Sequence, residues 1–419
     1  MKFLHAADLH IDSPLGGLRA YEGAPVEAIR GATRRATENL VNAALRHEVD
    51  LVVIAGDIFD GEWRDYSTGL FWVGQLNRLQ DAGIPVVLVA GNHDAASEIS
   101  RHLKLPPNVS QLDTNKPEVR IFDQIDVAVV GQGYATRAVT SDLSDGFPSP
   151  DSGLFNIGLL HTSLDGRPGH ARYAPTTVEA LRSKGYDYWA LGHVHERETV
   201  HNDPWILFPG NLQGRHAREL GAKGAVLVTV ESNVVTDVEF IALDDVRWTA
   251  NEVDITDMAD IDAVLAAVER SLVDTAVVAD NALTAVRLTL VGESAAHEQL
   301  WRDPRGFEAH AQAIASSTGR LWLEKTKIVT SDALPESRAN DDEIVALVAE
   351  RVRQLRFDPA AVAEYEPMFA DLRRKIGADA RSSDGAAVDT LALGTSKHLA
   401  AQLGASVELI KSLLAEGEK

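Results

Sequence analysis

Aspartate, asparagine and histidine recur in this chain at five places, in combinations suited to holding metal ions. The first is Asp8-Leu9-His10, the second Gly56-Asp57-Ile58-Phe59-Asp60, and the third Gly91-Asn92-His93-Asp94. His161 and then Gly192-His193-Val194-His195 complete the series. Carboxylate, amide and imidazole donors are hard-to-borderline ligands that suit manganese, iron or zinc. A lone histidine near a strand end is more often a core or surface residue, and a lone Gly-Asp pair is an ordinary turn. The repeated placement, with two histidines at i and i+2, outweighs that bland reading and predicts a centre for two ions. His5 and His47 lack such company and are expected to serve packing or solvation. His102, His170, His201, His216, His297, His310 and His398 fall off the motifs and are not expected to bind metal.

Each motif ends a short apolar run of β-strand character. Phe3-Leu4-His5-Ala6-Ala7 leads into the first, Leu51-Val52-Val53-Ile54-Ala55 into the second, and Pro85-Val86-Val87-Leu88-Val89-Ala90 into the third. Ile157-Gly158-Leu159-Leu160 precedes His161, and Tyr188-Trp189-Ala190-Leu191 precedes the last. Ligand sites of α/β proteins form beyond the carboxyl ends of strands, so this placement gathers the donors on one rim. Helical stretches are expected near 25–47, 64–82 and 176–184, and further strands near 126–131, 154–160, 187–191, 205–208 and 224–230. The later strands come with fewer helices, which suggests a two-sheet α/β sandwich over residues 1–245.

The ordered set resembles the calcineurin-like metallophosphoesterase superfamily, and within it the bacterial SbcD and YhaO type of DNA exonuclease. Asp8-Leu9-His10-Ile11-Asp12-Ser13-Pro14 and Pro209-Gly210-Asn211-Leu212-Gln213-Gly214-Arg215-His216 carry the closer likeness. The five motifs span residues 1–195, the similarity reaches about residue 245, and beyond that it is one of layout. The motifs are specific for the superfamily and less so for a nuclease, because relatives apply the same chemistry to other phosphoesters. The resemblance implies one ion on Asp8, His10, Asp57 and His195, and a second on Asp57, Asn92, His161 and His193. Asp57 would bridge, since a carboxylate offers two oxygens where imidazole offers one available nitrogen. Two such ions, about 3.5–4 Å apart, can bring the pKa of a bound water down to about 7 and neutralise charge on the phosphoryl oxygens. Manganese is the expected metal, with iron, zinc or magnesium as alternatives.

By the same resemblance His93 lies over the substrate phosphate, where it can stabilise the transition state or protonate the leaving oxygen. Asp60 would orient that histidine and stabilise its protonated form. Archaeal and eukaryotic nuclease relatives carry histidine at the position of Asp60, so this chain follows the bacterial pattern. Their balance of exo- and endonucleolytic cutting does not transfer to it.

Composition fits a large cytoplasmic enzyme. The chain has 419 residues, 45% of them hydrophobic, enough for two or more cores. It has no cysteine, which excludes disulfides, thiolate metal sites and a cysteine nucleophile. No secretion signal is expected around Asp8 and His10, and no run of about 18 apolar residues suggests a membrane span. No GxxxxGK[ST] loop supplies an ATPase motor. The net charge of −22, spread over both halves of the chain, sits awkwardly with DNA binding. Two divalent ions and the loop arginines Arg167, Arg172, Arg215 and Arg218 could offset it locally, although ordinary surface roles suit those arginines equally. Strong DNA binding is therefore expected to depend on a partner.

Residues 246–330 read strand, helix, strand, helix, strand, with strands near 248–255, 284–291 and 320–328 and helices near 258–273 and 306–317. This resembles the small α/β capping domain of SbcD-type enzymes, a bare structural lobe being the alternative. Residues 331–419 open with a linker, Ser331 to Ser337, and continue as a helical C-terminal tail. Val362, Tyr365, Phe369, Leu372 and Ile376 form one apolar helical stripe, and Leu399, Leu403, Val407, Ile410 and Leu414 another. Such helices suit docking into a groove, and the resemblance implies an SMC-like ATPase as the partner, held at 341–415. A homodimer through the catalytic domain is a further expectation. The leading reading is a two-metal-dependent DNA nuclease, the exonuclease subunit of a DNA repair complex. A phosphodiesterase or phosphatase acting on nucleotides or small phosphoesters, and a catalytically weak binding subunit, are the alternatives.

Overall fold

The computed structural model describes residues 1–13, 25–60, 66–96, 103–166, 173–279 and 282–332. Arg167, Arg172, His102, His170 and the C-terminal stripes, with His398, lie outside those residues. The chain forms two compact units, one reaching to Thr249 and one from Ala250 onward.

The first unit begins with β1 (Lys2–Ala6), α1 (Val26–Arg30), α2 (Ala32–Arg46), β2 (Leu51–Ile54) and α3 (Ser67–Asp81). It continues through β3 (Val86–Leu88), α4 (Asn92–Ala96), β4 (Val109–Gln111), β5 (Glu118–Phe122) and β6 (Val127–Gln132). β7 (Phe155–His161), α5 (Val178–Ser183), β8 (Tyr188–Gly192) and β9 (Glu198–Asn202) follow, then β10 (Trp205–Phe208), β11 (Gly224–Glu231) and β12 (Val234–Ala242). Two six-stranded sheets result, ordered β12-β11-β1-β2-β3-β4 and β5-β6-β7-β8-β10-β9. The strands that precede the five motifs run parallel: β1 beside β2, β2 beside β3, and β7 beside β8.

Period-two alternation explains how these strands bury both faces. Phe3, Leu51, Val53 and Val87 face Phe155, Ile157, Tyr188 and Leu207 in the core between the sheets. Phe3 meets Tyr188 edge-on, with ring centroids 5.1 Å apart. The intervening residues Leu4, Val52, Ile54 and Leu88 turn outward and pack under α2 and α3. α2 supplies a stripe of Ala36, Leu40, Val41 and Ala44, the spacing of one helical face. On the far side, Leu160, Trp189, Leu191, Ile206 and Phe208 form the outer core of the second sheet with Leu181 of α5. The metallophosphoesterase sandwich read from the sequence is the observed architecture. The helix expected over 25–47 is two helices, since α1 ends at Arg30 and α2 starts at Ala32.

The second unit follows β13 (Val246–Asp254), which carries the chain into it, with α6 (Ile261–Val278), β14 (Leu283–Ser294), α7 (His297–Arg302), α8 (Pro304–Thr318) and β15 (Leu321–Asp332). Its sheet has the order β13-β14-β15, and β14 and β15 are parallel. Val264, Val268 and Leu272 of α6 close on Val286, Leu288 and Leu290 of β14 and on Phe307 and Ala311 of α8. Asp260 caps α6 by accepting from Ala263 N at 2.9 Å, and Asp303 caps α8 ahead of Pro304. β15 takes in Ser331 and Asp332, the first two residues of the expected linker. Among the described residues no helix is long and apolar enough to cross a membrane.

Candidate metal centre

The loops that leave the parallel strands are tied to one another before any ligand is considered. Asp8 N donates to Gly56 O, His10 N to Asp57 O, and Ile11 N to Ile58 O, at 2.9–3.0 Å. The first and second motifs thus run on as a pair after β1 and β2 have ended. Asp94 joins the third motif to them, accepting from the backbone N–H groups of Ile58, Phe59 and Gly91 at 3.0–3.2 Å. His193 N donates to Asp8 Oδ2 at 2.9 Å, which brings in the rim of the second sheet. Asp8, His10, Asp57 and His193 all adopt positive φ (52°, 44°, 52° and 101°). Such backbone costs about 1–3 kcal/mol per residue and persists where its surroundings force it. Glycine is required beside them: a Cβ at Gly91 would lie 2.2 Å from Asp57 Oδ1, and Gly56, at φ +88°, would press on the His161 ring.

The donors meet in two sets that share Asp57. In one, His10 Nε2 and His195 Nε2 are 3.2 Å apart, with Asp8 Oδ1 3.9 and 3.8 Å from them. Asp57 Oδ2 is 4.0 Å from His10 Nε2. In the other, the same Asp57 oxygen is 3.5 Å from His161 Nε2, which lies 3.0 Å from Asn92 Oδ1. His161 Nδ1 is 2.9 Å from Ala55 O, so it donates there and leaves Nε2 with its lone pair toward the cluster. His193 stands at the edge of this second set, its ring packed edge-on to His161 at 5.1 Å and near Tyr173 at 5.8 Å. It belongs to none of the three closest groups of carboxylate and imidazole donors among the described residues.

These residues fit a pair of divalent cations. Asp8 Oδ1 is a buried acceptor with no hydrogen-bond partner among the described residues, and it points at two imidazole nitrogens. Burial, and then the charge of Asp57, hold Asp8 well above the usual carboxylate range. Burial raises Asp57 to about 6 against the opposing effect of His93, and raises Asp94 to about 7 with the help of Asp57. Burial also lowers His161 to about 3, and burial with the charge of Arg215 lowers His10. Burial thus favours neutral His10 and His161, as ligands must be, while the buried carboxylates Asp8 and Asp57 are pushed toward their protonated forms. A bound cation reverses that imbalance.

His93 and Asp60 sit beside the ligand sets. His93 Nδ1 is 2.8 Å from Asp60 Oδ1, and the His93 ring meets that of His10 edge-on at 5.1 Å. The hydrogen bond to Asp60 raises His93 above the usual imidazole value. Burial works to raise Asp60, but hydrogen bonds from His93 and Ser13 overcome it and hold this carboxyl at about 2. The His93 side chain is 33% exposed where that of Asp57 is 2% exposed, so it is the member of the cluster that a substrate can reach.

All nine residues singled out from the sequence gather at this rim, with His193 at its edge. His5 does not join them: it is buried against Tyr188 Oη and Leu191 O, and burial lowers it to about 3. Arg215, expected at most to touch phosphate, turns inward and lies 3.4 Å from Asp60 and 3.5 Å from Glu219, whereas Arg218 is exposed. Glu219 was not apparent from the sequence. It stands three residues past the Pro209–His216 stretch, and its only signal is an acidic residue soon after a Gly-Arg-His turn. Burial opposes its charge, but contacts with His195 and Arg215 hold it well below the usual carboxylate range.

The chain matches two protein families, calcineurin-like phosphoesterase over residues 1–197 and the middle domain of metallophosphoesterase YhaO over residues 248–331. It is 34% identical over 331 residues to an uncharacterized metallophosphoesterase YhaO of Bacillus subtilis (strain 168), covering 77% of this chain and 80% of that one. It is 27% identical over 287 residues to the DNA double-strand break repair protein Mre11 of Methanopyrus kandleri, covering 59% of this chain and 58% of that one. Among solved structures, a dimetal phosphatase from Danio rerio aligns with TM-score 0.35 and 12% identity, over 55% of this chain and 93% of its own. A protein from Thermus thermophilus aligns with TM-score 0.33 and 14% identity, over 58% of this chain and 98% of its own. TM-scores this low mark only a loose likeness of shape.

Proposed function

This chain belongs to the calcineurin-like metallophosphoesterases and, within them, to the YhaO type, and from that premise we propose that it is a two-metal-dependent DNA nuclease. Metal-dependent phosphoester hydrolysis is the chemistry of the family. The finer reading, DNA as substrate, is supported by the likeness to a chain named for double-strand break repair and by the YhaO-type second region. The observation that carries the mechanism is the sharing of Asp57 Oδ2 by two donor sets with His93 and Asp60 beside them. Asp8, His10, Asp57 and His195 would hold one ion, and Asp57, Asn92 and His161, with His193 at the edge, the other. When bound, the ions supply Lewis acidity and an activated water, the usual contribution of a two-metal site.

The chain's own residues do the rest. Asp57 is fixed by the His93 backbone N–H on Oδ1 (2.9 Å), which leaves Oδ2 to face both sets. Asp60, kept ionised, holds His93 protonated through Nδ1, so the second ring proton sits on Nε2 and can pass to a leaving oxygen. Ser13 Oγ donates to the other Asp60 oxygen at 2.5 Å, which stops the carboxylate from turning away. Docking of an SMC-like ATPase on residues 341–415 and homodimerisation through the catalytic domain belong to the same proposal. They rest on the helical stripes and on family likeness, and those stripes lie outside the described residues.

The test is cleavage of end-labelled single-stranded, duplex and hairpin DNA with Mn²⁺ or Mg²⁺, beside nucleotides and a small phosphodiester, with and without the ATPase. DNA cutting is expected, weak and salt-sensitive because phosphate contacts release counterions. Efficient hydrolysis of small phosphoesters with every DNA form intact would make the protein a small-substrate phosphodiesterase instead.

A further inference from the structure

We infer that Glu219 is a positioning residue of the metal centre, whose carboxylate fixes His195 in the tautomer and orientation that present its Nε2 to an ion. The inference rests on the two-ion reading above and deepens it. Glu219 Oε1 lies 2.7 Å from His195 Nδ1, the length of a charge-assisted bond. Arg215 Nη2 also approaches that nitrogen, at 3.3 Å, and is itself a donor. The shorter contact decides the tautomer: Nδ1 carries the proton and donates to Glu219. Nε2 is left with its lone pair, 3.8 Å from Asp8 Oδ1 and 3.2 Å from His10 Nε2.

Glu219 is itself held so that it can do this. It is 8% exposed, and its Oε2 accepts from Arg215 N at 2.7 Å and from Asn211 Nδ2 at 3.0 Å. The His195 carbonyl is gripped in turn by Lys223 Nζ at 2.8 Å and Asn211 N at 3.3 Å. The segment 211–223 therefore clamps this one histidine at both backbone and ring. His161 receives the same orientation from a backbone carbonyl, Ala55 O, which no substitution removes. At His195 the orienting group is a side chain, so tautomer control can be separated from the ligand. A carboxylate also makes the ring a stronger donor and adds negative charge beside the incoming cations.

The experiment uses the metal-stripped full-length chain, with calorimetric titration of Mn²⁺ into wild type, Glu219→Gln and Glu219→Ala. The Zn²⁺-loaded proteins, labelled with ¹⁵N-histidine, report the ring protons, and His195→Gln assigns the His195 signal. Wild type should take two equivalents, with a downfield Nδ1 proton on His195. Both variants should weaken one of the two sites by about 10–100-fold, leave the other unchanged, and move the His195 Nδ1 proton upfield as the charge-assisted bond is lost. Glu219→Gln, of nearly equal volume, carries the test if Glu219→Ala does not fold. Unchanged affinity at both sites, or a His195 Nδ1 proton that does not move, would overturn the assignment, as would equal weakening of both sites. Fewer than two equivalents in wild type would overturn the two-ion reading and this inference with it.

Discussion

The second unit and the first differ in how they treat a buried carboxylate. In the second, Glu324 forms a bidentate pair with Arg287 at 2.8–2.9 Å, Ser294 donates to Met258 O at 2.7 Å, and His297 Nδ1 meets Thr330 Oγ1 at 2.8 Å. In the first, Asp8 Oδ1 is buried without a hydrogen-bond partner among the described residues, and two imidazole nitrogens face each other at 3.2 Å. Every close donor group found among the described residues lies in this first unit. The difference separates two uses of a buried polar side chain. One closes its hydrogen bonds within a small lobe, and the other leaves a buried acceptor aimed at imidazole nitrogens, which a bound cation would satisfy.

The largest blow to that contrast comes from Asp57→Ala. It removes the oxygen common to both donor sets, so both ions should be lost and phosphodiester hydrolysis should fall to background. Metal analysis and a rate assay on one preparation check this. His93→Ala should keep both ions yet lose about 10²–10⁴-fold in rate, the usual worth of a positioned acid or base. Loss of metal in that variant would make His93 a ligand. The second unit should answer differently. Leu288→Ala opens a cavity in its core and should cost about 2–5 kcal/mol by denaturant unfolding, with Mn²⁺ stoichiometry unchanged. Smallest of all, Asp260→Ala removes the cap of α6 and should cost about 1 kcal/mol while leaving the rate alone.

The central strands and the motif residues were legible because each combines an apolar run with a polar group just past its end. β1, β2, β3, β7 and β8 show this, and their parallel pairing turns five separate sequence signals into one rim. The strands without such a run are β4, β5, β9 and β12, and these are the four edges of the two sheets. An edge strand has one neighbour and less to bury, so Glu198–Asn202 holds a single apolar residue, and the apolar residues of Val234–Ala242 are interrupted by Thr236, Asp237 and Glu239. Short α7 escaped for a related reason, with two buried residues in six. At the site, the family pattern paired Asp60 with His93 because both lie within recognised motifs. It could not find Glu219, whose meaning depends on a turn that folds 24 residues back onto His195. Nor could it say that Asp94 joins two loops, since backbone acceptance leaves no mark on composition.

That the shared Asp57 marks a centre for two ions is tested most directly by titrating the metal-free, full-length chain with Mn²⁺. Two equivalents should bind to wild type, and His10→Ala and Asn92→Ala should each weaken one of them. One equivalent or fewer in wild type at saturation would contradict it.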